Sequence, residues 1–244
     1  RVVALLNTGS QTIVLLNESA SSTTANRFTA GSDLAIGAKQ AVLLRYDGTA
    51  ARWYALTRPC GRETLAASRT YYVRSDGSNS NDGLSNSSGG AFLTIQRAID
   101  VIAGLDCSTY DVSIAVGAGT YGPFVLKSFV GSGKVTITGD TGTPSNVVLA
   151  STAADGIGGS NVMGRYKVEG FRFTNATSGS HIKLFNTYLE LGANEYGAAV
   201  TAHVWIEQNA YVEFTANYTI YGGATRHLFA TTGGIFVCSS KTVT

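Results

Sequence analysis

Charge is scarce in this chain, and what the sequence lacks narrows its function sharply. Charged residues make up 14% of the 244 positions, against roughly 25% in ordinary soluble domains. The net charge is +2, and no run of Lys and Arg exceeds two residues. Nucleic acid is therefore not expected as a partner, because phosphate recognition needs clustered cations. No apolar run approaches the roughly 18 residues that span a bilayer, so no membrane insertion is expected. The opening Arg1-Val-Val-Ala-Leu-Leu6 is too short for a signal peptide, and a start at Arg1 reads as a processed product or fragment. Three cysteines, Cys60, Cys107 and Cys238, form an odd set without metal-ligand spacing; buried free thiols are expected, and nothing demands an oxidising compartment. There is no Gly-x-Ser-x-Gly elbow, no phosphate-binding Gly-Lys-Ser/Thr loop and no Cys-x-x-Cys. No cofactor is expected.

What is abundant is glycine, at 29 residues, beside 44% hydrophobic residues and only three prolines. That mixture suits many short strands joined by tight turns. The only histidines, His181, His203 and His227, recur after 22 and 24 residues, each opening an apolar-alternating run. A second recurrence appears in Tyr166-Lys-Val-Glu169, Tyr188-Leu-Glu190-Leu and Tyr211-Val-Glu213-Phe. A period in the low twenties marks a solenoid that stacks one coil on the next.

Residues 1–57 read as a small all-β module of four or five strands. Val2–Leu6 and Thr12–Leu16 flank the turn Asn7-Thr-Gly-Ser10, and Ala41–Tyr46 and Arg52–Leu56 flank Asp47-Gly48, a strong hairpin signal. Residues 58–92 read as a linker, a lead-in strand over Thr70–Arg74 and a turn-rich loop from Ser75 to Gly90. The sole helix is predicted over Leu93–Leu105, with Ile95, Ala98, Ile99, Ile102 and Leu105 on one face; it is placed to lid the first coil. Residues 106–244 then hold about six coils. Val112–Val116 and Val135–Thr138 are 23 residues apart, and so are Phe124–Lys127 and Val147–Ala150; Ser151–Gly164 reads as an insertion bulging from a corner. The strand-like close at Ile235–Thr244 reads as an incomplete C-terminus or one covered by another chain.

Tyr71-Tyr-Val-Arg-Ser-Asp-Gly-Ser-Asn-Ser-Asn-Asp-Gly-Leu84, Phe92-Leu-Thr-Ile-Gln-Arg-Ala-Ile-Asp100 and Gly119-Thr-Tyr121 together resemble the N-terminal signature of right-handed parallel β-helix proteins of the pectin-lyase-like superfamily. The match is dense over about 50 residues. Glu18-Ser, Ala25-Asn-Arg27, Asp33-Leu, Val42–Asp47 and Arg52-Trp53 resemble small β modules of bacteriophage tail fibres and tail spikes. The resemblance implies an all-β protein, with a small N-terminal β module followed by a right-handed parallel β-helix capped by one α-helix. It also implies a homotrimer in the virion tail, extracellular after assembly in the host cytoplasm, in company with other phage tail proteins and touching host surface polysaccharide or lipopolysaccharide.

Candidate sites follow from the columns. Glu169, Glu190 and Glu213 are expected on one outer face about 5 Å apart per coil, near the separation of the two carboxyls in retaining glycosidases. Such crowding should raise at least one carboxyl pKa. The structural alternative is an ion-paired stripe with Lys167, Lys183 or Arg165. Tyr188, Tyr211 and Trp205 are candidates for glycan or chain–chain contacts. The histidines are expected to point outward by strand alternation if Ile182, Val204 and Leu228 point inward, as structural rings rather than metal ligands. The loop Asp76–Gly83 offers oxygen ligands but lacks the EF-hand spacing, so a hydrogen-bonded turn is expected. Three functions compete: a virion structural and attachment protein, a polysaccharide lyase or glycoside hydrolase working from the glutamate face, and a connector without glycan contact. The first accounts for the most features, and enzyme activity is not the expectation.

Overall fold

Alternation of apolar and polar residues builds two different β architectures in succession. The computed structural model describes all residues except Ser10, Gly31, Ser32, Ala38, 58–61 and Ala176; Cys60 and part of the expected linker thus lie outside the described residues. The chain divides into two compact units, Arg1–Glu63 and Thr64–Thr244.

In the first unit, Val2–Leu6, Ala41–Asp47, Arg52–Ala55 and Phe28–Thr29 form a four-stranded sheet in that order, and Ile13–Leu15 pairs with Leu34–Ile36. The hairpin around Asp47-Gly48 forms as expected, with Asp47 opposite Arg52. The first two strands do not pair with each other: Val2–Leu6 joins Ala41–Arg45, and Ile13–Leu15 joins Leu34–Ile36. Among the described residues the first 57 positions hold six strands rather than four or five. Leu34, Ile36, Val42 and Leu44 are its buried core, with Leu5, Leu15, Trp53 and Ala55 packed around them. Glu18 clips two segments together, taking Arg52 Nε at 2.9 and 3.1 Å and the Thr29 hydroxyl.

The second unit is a right-handed parallel β-solenoid. Its first sheet stacks seven strands: Arg69–Val73, Val112–Val116, Lys134–Thr138, Arg165–Glu169, Tyr188–Leu191, Tyr211–Phe214 and Ile235–Val237. The lead-in strand is thus itself the first rung, and the β-helix begins ahead of the cap helix. The second sheet runs from Gly119–Tyr121 through Val147–Ser151, Arg172–Asn175 and Glu195–Tyr196 to Thr219–Ile220. The third runs from Phe124–Val125 through Ile157–Ser160, Ile182–Phe185 and Ala202–Glu207 to Arg226–Ala230. Inward residues such as Ile114, Ile137, Val168, Leu191 and Val212 are fully buried in one continuous core. Each such side chain contributes roughly 1.5–3 kcal/mol by leaving water.

The pairing corrects two expected relations. Val112 does lie opposite Val135, but Phe124 pairs with Ile157 in the third sheet while Val147 pairs with Gly119 in the second. The stretch 151–164 is not an external bulge, because it supplies the third-sheet strand Ile157–Ser160. Gly158 and Gly159 strip that strand of the alternation that would have revealed it.

The cap helix is Ile95–Ile102, shorter than the 93–105 expected. The Thr94 side chain caps it by accepting from the Arg97 N–H at 3.2 Å. Asn79 Oδ1 accepts from the N–H groups of Leu93 and Thr94, holding both outside the helix. Past Ala103 and Gly104, Leu105–Asp106 is already a strand, and the Asp106 carbonyl accepts from the Leu65 N–H at 3.0 Å. Ile95, Ala98, Ile99 and Ile102 are buried and cover the first coil. The loop that precedes the helix is a hydrogen-bonded turn: Asn81 Nδ2 donates to the Ser88 and Ala91 carbonyls, and Asp76 is held by Arg74 at 2.8 Å.

Between the third sheet and the first, four successive coils turn through a residue in the left-handed region. Asn161, Asn186, Gln208 and Thr232 follow the paired strands rung by rung, with φ of 51°, 42°, 53° and 50°. Asparagine tolerates this conformation better than most residues. Asn186 Nδ2 also donates to Asn161 Oδ1 at 2.9 Å, tying two rungs. This repeated turn carries the chain from the third sheet onto the face bearing the candidate residues.

Candidate functional surface

The outer face of the first sheet is set by strand parity. Tyr188 and Tyr211 lie opposite each other, as do Glu190 and Glu213. Glu190 faces Lys167 on its other side, whereas Glu169 faces Thr138. The outward column is therefore Lys167–Glu190–Glu213, and Glu169 stands two residues away along the rung. The expectation of three glutamates in register is corrected on this point. Tyr166 does not join the tyrosine column either: it pairs with Leu189, is fully buried, and donates from its hydroxyl to the Lys127 carbonyl at 2.7 Å.

Glu190 is outward yet covered. Lys134 Nζ and Arg165 Nη2 each reach its carboxylate at 3.2 Å, and the Tyr188 hydroxyl donates to it at 3.2 Å. Its side chain is only 8% exposed. Burial pushes its pKa upward, but the two cations and the phenol outweigh that, and the carboxyl ends below its ordinary value. The expected raised carboxyl is absent at Glu190. Tyr188 also donates to Glu213 at 3.1 Å, so one hydroxyl bridges both carboxylates. Burial, that hydrogen bond and the adjacent negative charges push the Tyr188 phenol up to about 12. Glu169 pairs with Lys167 at 2.7 Å.

Two carboxylates joined through one phenol are close enough for two-carboxyl chemistry, but the arrangement lacks its working parts. A general acid needs a raised pKa, and Glu190 moves the opposite way. The space between the pair, where a glycosidic oxygen would sit, holds the Tyr188 hydroxyl. A recess of about 270 Å³ opens elsewhere, beside the start of the cap helix, between Thr94, Gln96 and Tyr121, and no charged side chain lines it.

The aromatic candidates are spent on one another. Tyr188 and Tyr211 stack at 5.4 Å with an 18° interplanar angle. Trp205, in register with Lys183 and Phe229 on the third sheet, has the Lys183 ammonium 4.0 Å from its ring centroid and Phe229 at 5.2 Å. Arg226 lies 4.2 Å from the Phe229 ring. Such a ladder of cations and rings contributes roughly 0.5–1 kcal/mol per exposed contact.

The histidines are inside, which corrects the outward expectation. His181 and His203 are buried and His227 is half-buried. They sit at the corner between the second and third sheets, where the chain bends and strict alternation does not apply. His181 stacks on His203 at 5.1 Å and 12°, and on Phe173 at 5.7 Å. His181 Nε2 meets the Ala198 carbonyl at 3.1 Å, so it carries the proton. His203 Nδ1 and His227 Nδ1 are 2.8 Å apart, and His227 Nε2 is 3.0 Å from the Tyr218 hydroxyl. A hydrogen-bond chain from Tyr218 through His227 to His203 satisfies these contacts with all rings neutral. Burial lowers the pKa of each, with His181 and His227 brought to about 4. His181 and His203 lie in near-parallel planes while His227 is turned 71° to His203, and no group of three His, Cys, Asp or Glu among the described residues could hold a metal ion.

Sequence reasoning missed Lys134. It sits two rungs before Glu190, on the same outward face by strand parity but 56 residues away along the chain. Arg165 was among the expected ion-pair partners and does meet Glu190, while Lys183 turns instead to Trp205. Among the described residues no helix is long and apolar enough to cross a membrane. Comparison with models of known protein families gives no match, and comparisons with curated proteins and with solved structures give none.

Proposed function

We propose that this chain is a structural segment of a bacteriophage tail fibre or tail spike, acting in attachment to the host surface as a homotrimer in the virion tail. The observation that carries this reading is the closure of the outer polar columns on themselves. Glu190 is neutralised by Lys134 and Arg165, and Tyr188 is committed to both glutamates. Trp205 is covered by Lys183 and Phe229. Such columns lock neighbouring rungs together and stiffen a shaft, whereas a depolymerase needs a free acid and room for substrate. The order of a small β module followed by a β-helix, and its resemblance to tail proteins, supports the same reading.

Adsorption and cleavage separate the alternatives. Fluorescently labelled chain should adsorb to a susceptible bacterium and leave its purified surface polysaccharide at full length. Release of reducing ends or unsaturated uronates by the wild type, abolished in Glu190→Gln, would replace this reading with the depolymerase one. Neither adsorption nor cleavage would make the chain a connector.

A further inference from the structure

Tyr221 breaks the pattern of the other outer aromatics. Tyr188 and Tyr211 spend their faces on each other, and Trp205 is taken by Lys183 and Phe229. Tyr221 follows the second-sheet strand Thr219–Ile220 and is the most exposed aromatic side chain among the described residues, at 48%. Its ring is nevertheless fixed in place. The guanidinium carbon of Arg172 lies 4.6 Å from the ring centroid, and the hydroxyl donates to the Phe173 carbonyl at 3.4 Å. Gly197 makes that seat possible, because a Cβ there would stand 2.5 Å from the hydroxyl oxygen and 2.8 Å from Cζ. Arg172 meets one face of the ring; among the described residues no second ring or cation meets the other. Gly222 and Gly223, next along the chain, carry no side chain to shield it. A ring held still and half in water has little freedom left to lose on contact, which favours binding.

We propose that Tyr221 is a stacking platform for one neutral pyranose ring of a surface glycan, on the outside of the second sheet. The proposal rests on the attachment reading above and names a contact through which attachment works. Three properties select the ligand. The platform is one ring wide, far below the roughly 800 Å² that each partner of a stable protein complex buries. Arg172 is neutralised by Glu195 at 2.6 Å, so the local charge is balanced and gives no pull on a polyanion. The same ion pair sets N–H donors and carboxylate acceptors beside the apolar ring. A ligand that matches a flat apolar face with a polar neighbour of both hydrogen-bonding senses is a neutral sugar. Its C–H face lies on the ring and its hydroxyls turn to Arg172 and Glu195. The glutamates of the first sheet take no part, so binding here proceeds without cleavage.

The test is saturation-transfer NMR on the full chain. The probes are the methyl glycosides of glucose, galactose, mannose, rhamnose and N-acetylglucosamine, with glucuronate as the charged comparison. At least one neutral glycoside should receive saturation at its ring protons, and more strongly than glucuronate. Tyr221→Ala should weaken that binding on the order of tenfold, because the platform itself is gone. Tyr221→Phe keeps the ring and loses one long hydrogen bond, so its affinity should stay within about threefold of wild type. Unchanged amide spectra at Tyr196 and Phe214 verify that both variants are folded. Transfer to none of the neutral glycosides, equal transfer in Tyr221→Ala, or a preference for glucuronate would each overturn the proposal. Adsorption to bacteria that persists in Tyr221→Ala, with no glycoside bound, would remove the platform and leave the attachment reading standing. Glycoside binding by a wild-type chain that does not adsorb would keep the platform and remove that reading.

Discussion

Between pH 7 and pH 4.5 the β-helix should lose about 2 kcal/mol of unfolding free energy from His181 alone, with smaller losses from His203 and His227. All three start from an ordinary value of 6.5 in the unfolded chain and are lowered in the folded one, His181 and His227 to about 4. Burial is the main cause in each case. Tyr196 and Tyr218, which pack against the rings, are held protonated by their own burial, Tyr218 with a pKa of about 12. They therefore supply no negative charge to stabilise an imidazolium. His181 Nδ1 has no protein partner, so no acceptor awaits a second ring proton.

The sign follows from these positions. Below pH 6.5 the unfolded chain takes up protons that the folded chain refuses, so stability is fully present above 6.5 and falls towards pH 4, where the folded imidazoles protonate too. His227 is partly exposed, and solvent screening reduces its share. Glu190 and Asp100 are lowered instead from 4.5 and 3.8, so their stabilisation is lost below those values and leaves the window from 6.5 to 5 to the imidazoles. Urea unfolding at several pH values across that window measures the effect. A flat profile from pH 7 to 5 would mean the histidines are hydrated, contrary to their place in the corner.

Phe173→Ala should cost about 3–5 kcal/mol, the range for removing a buried phenylalanine. Phe173 is 1% exposed and stacks on Tyr196 at 5.3 Å and 14°, on His181 at 5.7 Å, and near Phe171 at 6.3 Å. Its loss opens a cavity at the corner that joins two sheets. Phe173→Leu keeps most of the volume and should cost much less, under about 1.5 kcal/mol. The two predictions are coupled. Water admitted beside His181 returns its pKa towards the ordinary value, so the acid penalty of the alanine variant shrinks. The difference in stability between variant and wild type should therefore be smaller at pH 5 than at pH 7. An unchanged difference would show that Phe173 does not shield His181.

How far such relations could be read beforehand depends on the element. The repeat period, the Asp47-Gly48 hairpin and the cap helix were legible because each rests on local chemistry: spacing, turn residues and amphipathic steps. The glutamate column misled for a reason visible in its own residues. Tyr166 and Glu169 are three apart, but Tyr188 and Glu190, and Tyr211 and Glu213, are two apart. In a strand, that difference of one places Tyr166 inside while Tyr188 and Tyr211 face out. The histidines misled because Ala202, His203 and Val204 are all buried in succession, as happens where a chain bends around a core and alternation fails. The strand Ile157–Ser160 was hidden by its two glycines, and missing it shifted the assumed partner of Phe124. Lys134 was missed because it lies two coils before Glu190, although strand parity puts it on the same outward face.

The claim that the outer columns are structural rather than catalytic is tested most directly at one carboxyl. Carbon NMR titration of the Glu190 side chain, assigned by its loss in Glu190→Gln, reads its pKa in the intact chain. The account predicts a value below that of an ordinary glutamate, rising when Lys134 is replaced by Met. A Glu190 pKa raised towards neutrality, as a glycosidic acid requires, would contradict it.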